Sequence, residues 1–150
     1  MKVAILGKLP SKFKAPFDAL SFQIWGGNIH NDMERIPRFD LWFDIHAQIS
    51  CNYKIPKEKL FLRKDFDFEK AKKLLGGDYL NNTMSIMVME AVMRGAKSIH
   101  LYGCRLDNDD EIRTSQLQNL REILFFARGR GIEVFSYEEN VLKEYERYGE

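Results

Sequence analysis

Asn81-Asn82-Thr83-Met84-Ser85-Ile86-Met87-Val88-Met89-Glu90-Ala91-Val92-Met93-Arg94-Gly95-Ala96-Lys97, running on into Ser98-Ile99-His100-Leu101-Tyr102-Gly103, is the stretch that decides the fold. A polar start leads into a nearly all-apolar helix over about 83–94, then a Gly-Ala turn and a short apolar strand over 99–102. A helix apolar on every side, feeding a strand of the same character, belongs at the centre of an α/β sheet. Free backbone N–H groups point outward from helix N-termini and from loops after strands. An anionic ligand is therefore expected at Thr83 or beyond Gly103.

Working outward, Val3-Ala4-Ile5-Leu6 reads as a first buried strand, followed by the turn Gly7-Lys8-Leu9-Pro10-Ser11. Residues 22–25 form a second strand ending in Gly26-Gly27-Asn28, residues 39–46 a third and residues 60–62 a fourth, bounded by charges. The spacing predicts a short helix over 68–75 that stops at Gly76-Gly77. Downstream, Leu117, Leu120, Ile123, Leu124 and Ala127 mark one buried face of a helix over 112–127. Arg128-Gly129-Arg130-Gly131 ends it, residues 132–135 give a last strand, and residues 141–148 a closing polar helix. Helices that follow strands in the second half imply parallel pairing with crossovers. The expectation is one α/β domain with a mostly parallel central sheet.

With 150 residues, 45% hydrophobic and 30% charged, the chain has the composition of a globular domain with a real core. A net charge of +1 gives no electrostatic case for a DNA or RNA polymer as partner. Cys51 and Cys104 are too few and too far apart for a disulfide framework or a zinc site. No metal and no cofactor are expected. The opening apolar run is too short for a signal peptide or membrane span, so a cytoplasmic protein without a membrane partner is expected. A homo-oligomer is expected too, with residues 141–148 or the segment bearing Phe61, Phe66 and Phe68 as its contact.

Several residues are candidates for a site. The turn from Gly7 to Ser11 is not the G-x-G-x-x-G fingerprint, which argues against NAD. Lys8 beside exposed N–H groups nevertheless suits a phosphate. Trp25, next to Gly26-Gly27, offers an aromatic face to a base, whereas Trp42 reads as core. Asp44 and His46 lie two apart on one strand and share a face, as an acid–base pair would. Thr83 and Ser85 cap the long helix and present hydroxyls. Arg105 follows the strand end, where it would clamp an anion. His100, inside an apolar strand, reads as structural, and His30 has no supporting context. Asp107-Asn108-Asp109-Asp110-Glu111 reads as a solvated start to the next helix.

The order of Lys2-Val3-Ala4-Ile5-Leu6-Gly7-Lys8-Leu9-Pro10-Ser11, Ile24-Trp25-Gly26, Trp42-Phe43-Asp44-Ile45-His46 and the helix–strand unit ending Tyr102-Gly103 resembles small Rossmann-like proteins common in phage genomes. It is also similar to the nucleotide-binding core of bacterial sialyltransferases that use CMP-sialic acid. The resemblance implies a Rossmann-like three-layer sandwich and a nucleotide near the Gly7 turn, Asn28 and Thr83. This chain has Lys8 and Leu9 where the family's turn carries Asn and Gly, and Thr83-Met84 in place of a Ser-Gly pair. Cys104-Arg105 replaces the acidic residue after the strand-ending glycine, and the insertion bearing the acceptor site and catalytic His is absent. The function expected is therefore non-catalytic binding of a nucleotide-derived small molecule. Sequestration of a host immune signal, such as a cyclic oligonucleotide or an ADP-ribose derivative, would be one form of it. The alternatives are a small nucleotide-sugar transferase or hydrolase using His46 or Asp44 as base, and a protein-interaction module.

Overall fold

The computed structural model describes residues 1–28, 33–46, 55–104, 111–138 and 141–149. Its centre is a six-stranded sheet in the order β4-β3-β2-β1-β5-β6. The strands are β1 (Lys2–Leu6), β2 (Phe22–Gly27), β3 (Leu41–Asp44), β4 (Leu60–Leu62), β5 (Ser98–Tyr102) and β6 (Glu133–Ser136). Every pairing is parallel, so the expected sheet is parallel throughout. Helices α1 (Phe68–Leu75) and α2 (Thr83–Met93) connect β4 to β5, and α3 (Glu111–Gly129) connects β5 to β6. The chain is a Rossmann-like α/β sandwich. Among the described residues no helix is long and apolar enough to cross a membrane.

The winding explains which face each connection covers. From β1 to β4 the chain moves steadily one way, then returns past β1 to β5 and moves the other way. Right-handed crossovers must then put the early connections on one face and the late ones on the other. The core divides accordingly. Val3, Ile5, Trp25, Phe43, Ile99 and Leu101 point toward the α-helices and pack with Met87, Leu120 and Leu124. Ala4, Leu6, Ile24 and Trp42 point the other way, where Phe13, Phe17, Ile36 and Ile55 cover them. That second cover has no α-helix among the described residues. Instead it uses 3-10 turns at Pro10–Lys14 and Met33–Arg35 with the chain around them.

Helix α2 is central because its residues from Ser85 to Val92 are all buried, against β1, β2 and β3 on one side and α3 on another. Asn82 is its N-cap, its side chain accepting the Ser85 N–H at 3.0 Å, so Thr83 is the first helical residue rather than the cap. The expected helix over 141–148 does not form. Val141 is fully buried and its carbonyl accepts the Arg121 Nε–H at 3.2 Å, but residues 143–149 are all exposed. A polar segment that short has too few internal hydrogen bonds to hold a helix without a packing face. Phe61 and Phe66 lie in the core, and Phe68 packs half-buried against it, so that segment offers no apolar contact surface.

The two strand ends at the centre close on each other. Gly7 donates to the Tyr102 carbonyl at 2.8 Å, and Leu9 donates to that of Gly103 at 3.2 Å. A Cβ on Gly7 would land on the carbonyl of Gly103 and beside the Cα of Cys104, backbone atoms that cannot move aside. Gly7→Ala should therefore cost about 3 kcal/mol or more. Gly95→Ala, where φ is +78° but space is open, should cost only about 1–2 kcal/mol of left-handed strain. Urea unfolding of both variants measures the difference, and equal losses would remove the proposed clash.

Candidate functional site

The first expected site is the turn after β1, and its geometry is closed. Two of its N–H groups are spent on the β5 end, and Pro10 has none to give. The Ser11 hydroxyl donates to the Glu138 carboxylate, which brings a negative charge to the place expected to hold a phosphate. Lys12 lies fully buried beneath the turn with its ammonium donating to the Lys8 carbonyl at 3.1 Å, while the Lys8 side chain is exposed. Gly103, at φ +72°, packs against the Leu9 carbonyl. Cys104 is sealed behind it, and burial pushes its thiol up to about 12. A thiol that stays protonated is chemically inert.

Trp25 is fully buried. It packs 5.4 Å from the Phe43 ring, and the Arg94 guanidinium lies 5.3 Å from its ring. Because Arg94 ends α2, this contact lies toward the opposite end of the sheet from the strand-end loops, and Trp25 has no face left for a base. Gly26 serves packing as well, since a Cβ there would enter the Trp42 indole ring. Trp42 itself is core, its Nε1 donating to the Asn28 carbonyl at 3.0 Å. Ser85 is buried, with its hydroxyl 2.8 Å from the Asn82 amide nitrogen. His100 is held between rings, edge-on to Phe22 and stacked on Phe135.

The remaining candidates lie at the C-terminal ends of β2 and β3. Asn28 is the one non-glycine residue with positive φ, +63°, among the described residues. Its N–H donates to Phe43 at 3.1 Å, and its side-chain oxygen accepts the Thr83 hydroxyl at 3.3 Å. Asn and Asp tolerate this left-handed conformation best among side chains bearing a Cβ. One residue beyond the Gly27–Phe43 pair on the other strand stands Asp44. Alternation turns it to the Trp42 side of the sheet, where it is only 2% exposed. Neither of its carboxylate oxygens has a hydrogen-bond partner among the described residues.

This solitary carboxylate is the strongest chemical feature of the chain. Burying a carboxylate without donors costs several kcal/mol unless a partner is supplied. Its two acceptor oxygens suit a ligand with paired N–H or O–H donors. They repel a bare phosphate. His46, expected to share its strand, lies past the end of β3 and is exposed, with no hydrogen bond to Asp44. No group of three or more His, Cys, Asp or Glu among the described residues is placed to hold a metal ion. Arg105, His30, Cys51 and the acidic run Asp107 to Asp110 lie outside the described residues.

The sequence does flag Asp44, but only as half of a pair. Its isolation follows from the strand ending at residue 44 while Ile45 turns back into the helix-side core. Glu138 carries no sequence signal for the turn it reaches. The Asn82 cap, by contrast, is legible as an Asn placed just before an apolar helix.

Asp44→Asn keeps the shape and replaces the buried carboxyl group by an amide. It should raise unfolding stability at pH 7.5 by about 1–2 kcal/mol, and a loss of stability would mean the carboxylate has a structural partner. In a Cys51→Ser background, Cys104 should resist a thiol reagent at pH 8 until urea unfolds the chain. Labelling of the native protein would contradict the burial that raises its pKa. Comparison with family models, with curated proteins and with solved structures finds no match to this chain.

Proposed function

We propose that this chain binds a nucleotide-derived small molecule at the C-terminal ends of β2 and β3 and releases it unchanged. One observation carries the reading: the buried, unpartnered carboxylate of Asp44 at the edge where parallel α/β sheets take their ligands. A ribose diol, or the N–H groups on the edge of a base, would supply the two donors that this carboxylate lacks. Asn28 contributes a side-chain amide at the end of the neighbouring β2, and Thr83 fixes the orientation of that amide.

The ligand is recognised through its hydroxyl and amino groups more than through its phosphates. The Gly7 turn has its Gly7 and Leu9 N–H groups committed to β5 and Glu138 at its flank, which weakens it as an anion site. Chemistry needs a nucleophile or base held in place, and His46 and Asp44 are not joined. Binding without turnover is the function this arrangement favours. The resemblance to phage proteins makes a cyclic oligonucleotide or an ADP-ribose derivative, taken out of a host signal, the first class to examine.

Thermal unfolding against nucleosides, nucleotides, CMP- and UDP-sugars, ADP-ribose derivatives and cyclic oligonucleotides tests the proposal. A ligand at one hundred times its Kd should stabilise the fold by about 2.7 kcal/mol, which raises Tm by roughly 5–10 °C. Asp44→Asn should lose that shift while its own unliganded Tm rises or holds. A full shift in the variant would remove Asp44 from the site. Recovery of a chemically altered ligand would replace binding with transfer or hydrolysis.

A further inference from the structure

The face of the sheet away from the α-helices is unevenly covered. Over β1, β2 and β3 the second core cluster shields it, and the Pro10–Lys14 turn extends that cover to β5, where Tyr102 packs against the cluster, but His100 is only half-buried and Phe135 on β6 is exposed. Ile99, Leu101 and Val134 belong to the helix-side core, so alternation turns His100 and Phe135 to this open side. His100 stacks on Phe135 with ring centroids 4.7 Å apart and meets the edge of Phe22 at 4.8 Å. Phe135 is 50% exposed, and Tyr137 beyond the strand end is 55% exposed. Strands of a parallel sheet are ordinarily buried on both faces, and an aromatic row left in water at one edge marks an interface.

The charges around the row say what fits it. Lys2 pairs with Ser98, and Ser98 with Glu133, so an ammonium and a carboxylate flank β5 at one level, each about 4.8 Å to its side. Lys2 and Glu133 are both exposed. We propose that two copies of this chain pack through this face about a two-fold axis running along β5. Rotation about that axis carries Lys2 of each copy over Glu133 of the other, twice, and brings the two His100–Phe135 stacks together at the centre. A two-fold interface requires a self-complementary patch, and opposite charges equally spaced about the axis are one. A partner of single-signed charge would leave one of the two unpaired.

His100 suits the centre. Burial, helped by Lys2 and opposed by Glu133, lowers its pKa, so two neutral rings approach without repulsion at neutral pH. The net charge of +1 adds little repulsion between copies.

Sedimentation velocity of the full chain from about 1 to about 100 µM tests the assembly, a range that spans a micromolar Kd. A dimer should dominate at the upper end. Phe135→Asp, at a half-exposed position, should sediment as a monomer with an unchanged far-UV circular dichroism spectrum. Lys2→Glu and Glu133→Lys should each raise the dimer Kd about tenfold or more, and the double variant should return it to within about threefold of wild type. A wild-type monomer at every concentration would leave the face to a partner of other chemistry and overturn the proposal. So would a dimer indifferent to Phe135→Asp, or a double variant no better than the single ones.

Discussion

A sheet whose strands all run parallel must find a cover for both faces, and among the described residues α-helices lie on only one. The constraint comes from the connections. Three steps one way and a return past the first strand put the late crossovers, α1, α2 and α3, on a single side. The early crossovers are too short and irregular for α-helices among the described residues, so aromatic side chains fill in. Phe13, Phe17 and Phe39 lie against Ala4, Leu6, Ile24 and Trp42, and Gly26 gives way so that the Trp42 ring can lie flat on β2. Beyond β1 this cover thins to the Pro10–Lys14 turn beside β5 and Tyr102, and His100 and Phe135 stand half in water.

The same winding sets the strand ends. Ligands of open α/β sheets ordinarily enter where the strand order reverses, here between β1 and β5. In this chain that opening is shut by backbone, with Gly7 on Gly103 and Cys104 sealed behind them. Two glycines permit an approach that any Cβ would forbid, and the approach removes the N–H groups a phosphate would need. The carboxylate without a described partner lies further along the edge, at Asp44 of β3.

Asp44 sits where the fold gains nothing from it. A carboxylate at 2% exposure with no donor among the described residues opposes folding, while the strand around it is otherwise packed with Trp42, Phe43 and Ile45. Marginal stability makes such a cost visible, since a domain of this size has only about 5–15 kcal/mol in hand. A group retained against the interest of the fold is the kind of residue that a ligand explains better than packing does.

Local pattern carried much of this protein. The apolar run from Met84 to Met93, its polar start and its Gly95 stop identify α2, and the segment from Phe68 to Leu75 is helical over just those residues. Short apolar runs closed by glycine identify β1, β2 and β5, and helices following strands imply their parallel pairing. These features depend on contacts within a few residues, so periodicity records them. Periodicity misleads at residues 141–148, where a polar helical pattern has no surface to pack on and stays unwound. Other features depend on residues nearly a hundred positions apart. The closure of Gly7 on Gly103, the reach of Glu138 to Ser11, the burial of Trp25 and the solitude of Asp44 all arise only when distant strands are set side by side. Sequence determined which elements form and that their sheet is parallel. Tertiary structure alone decided which strand ends close on each other and which face goes without α-helices among the described residues, because both depend on the side of the sheet each crossover takes.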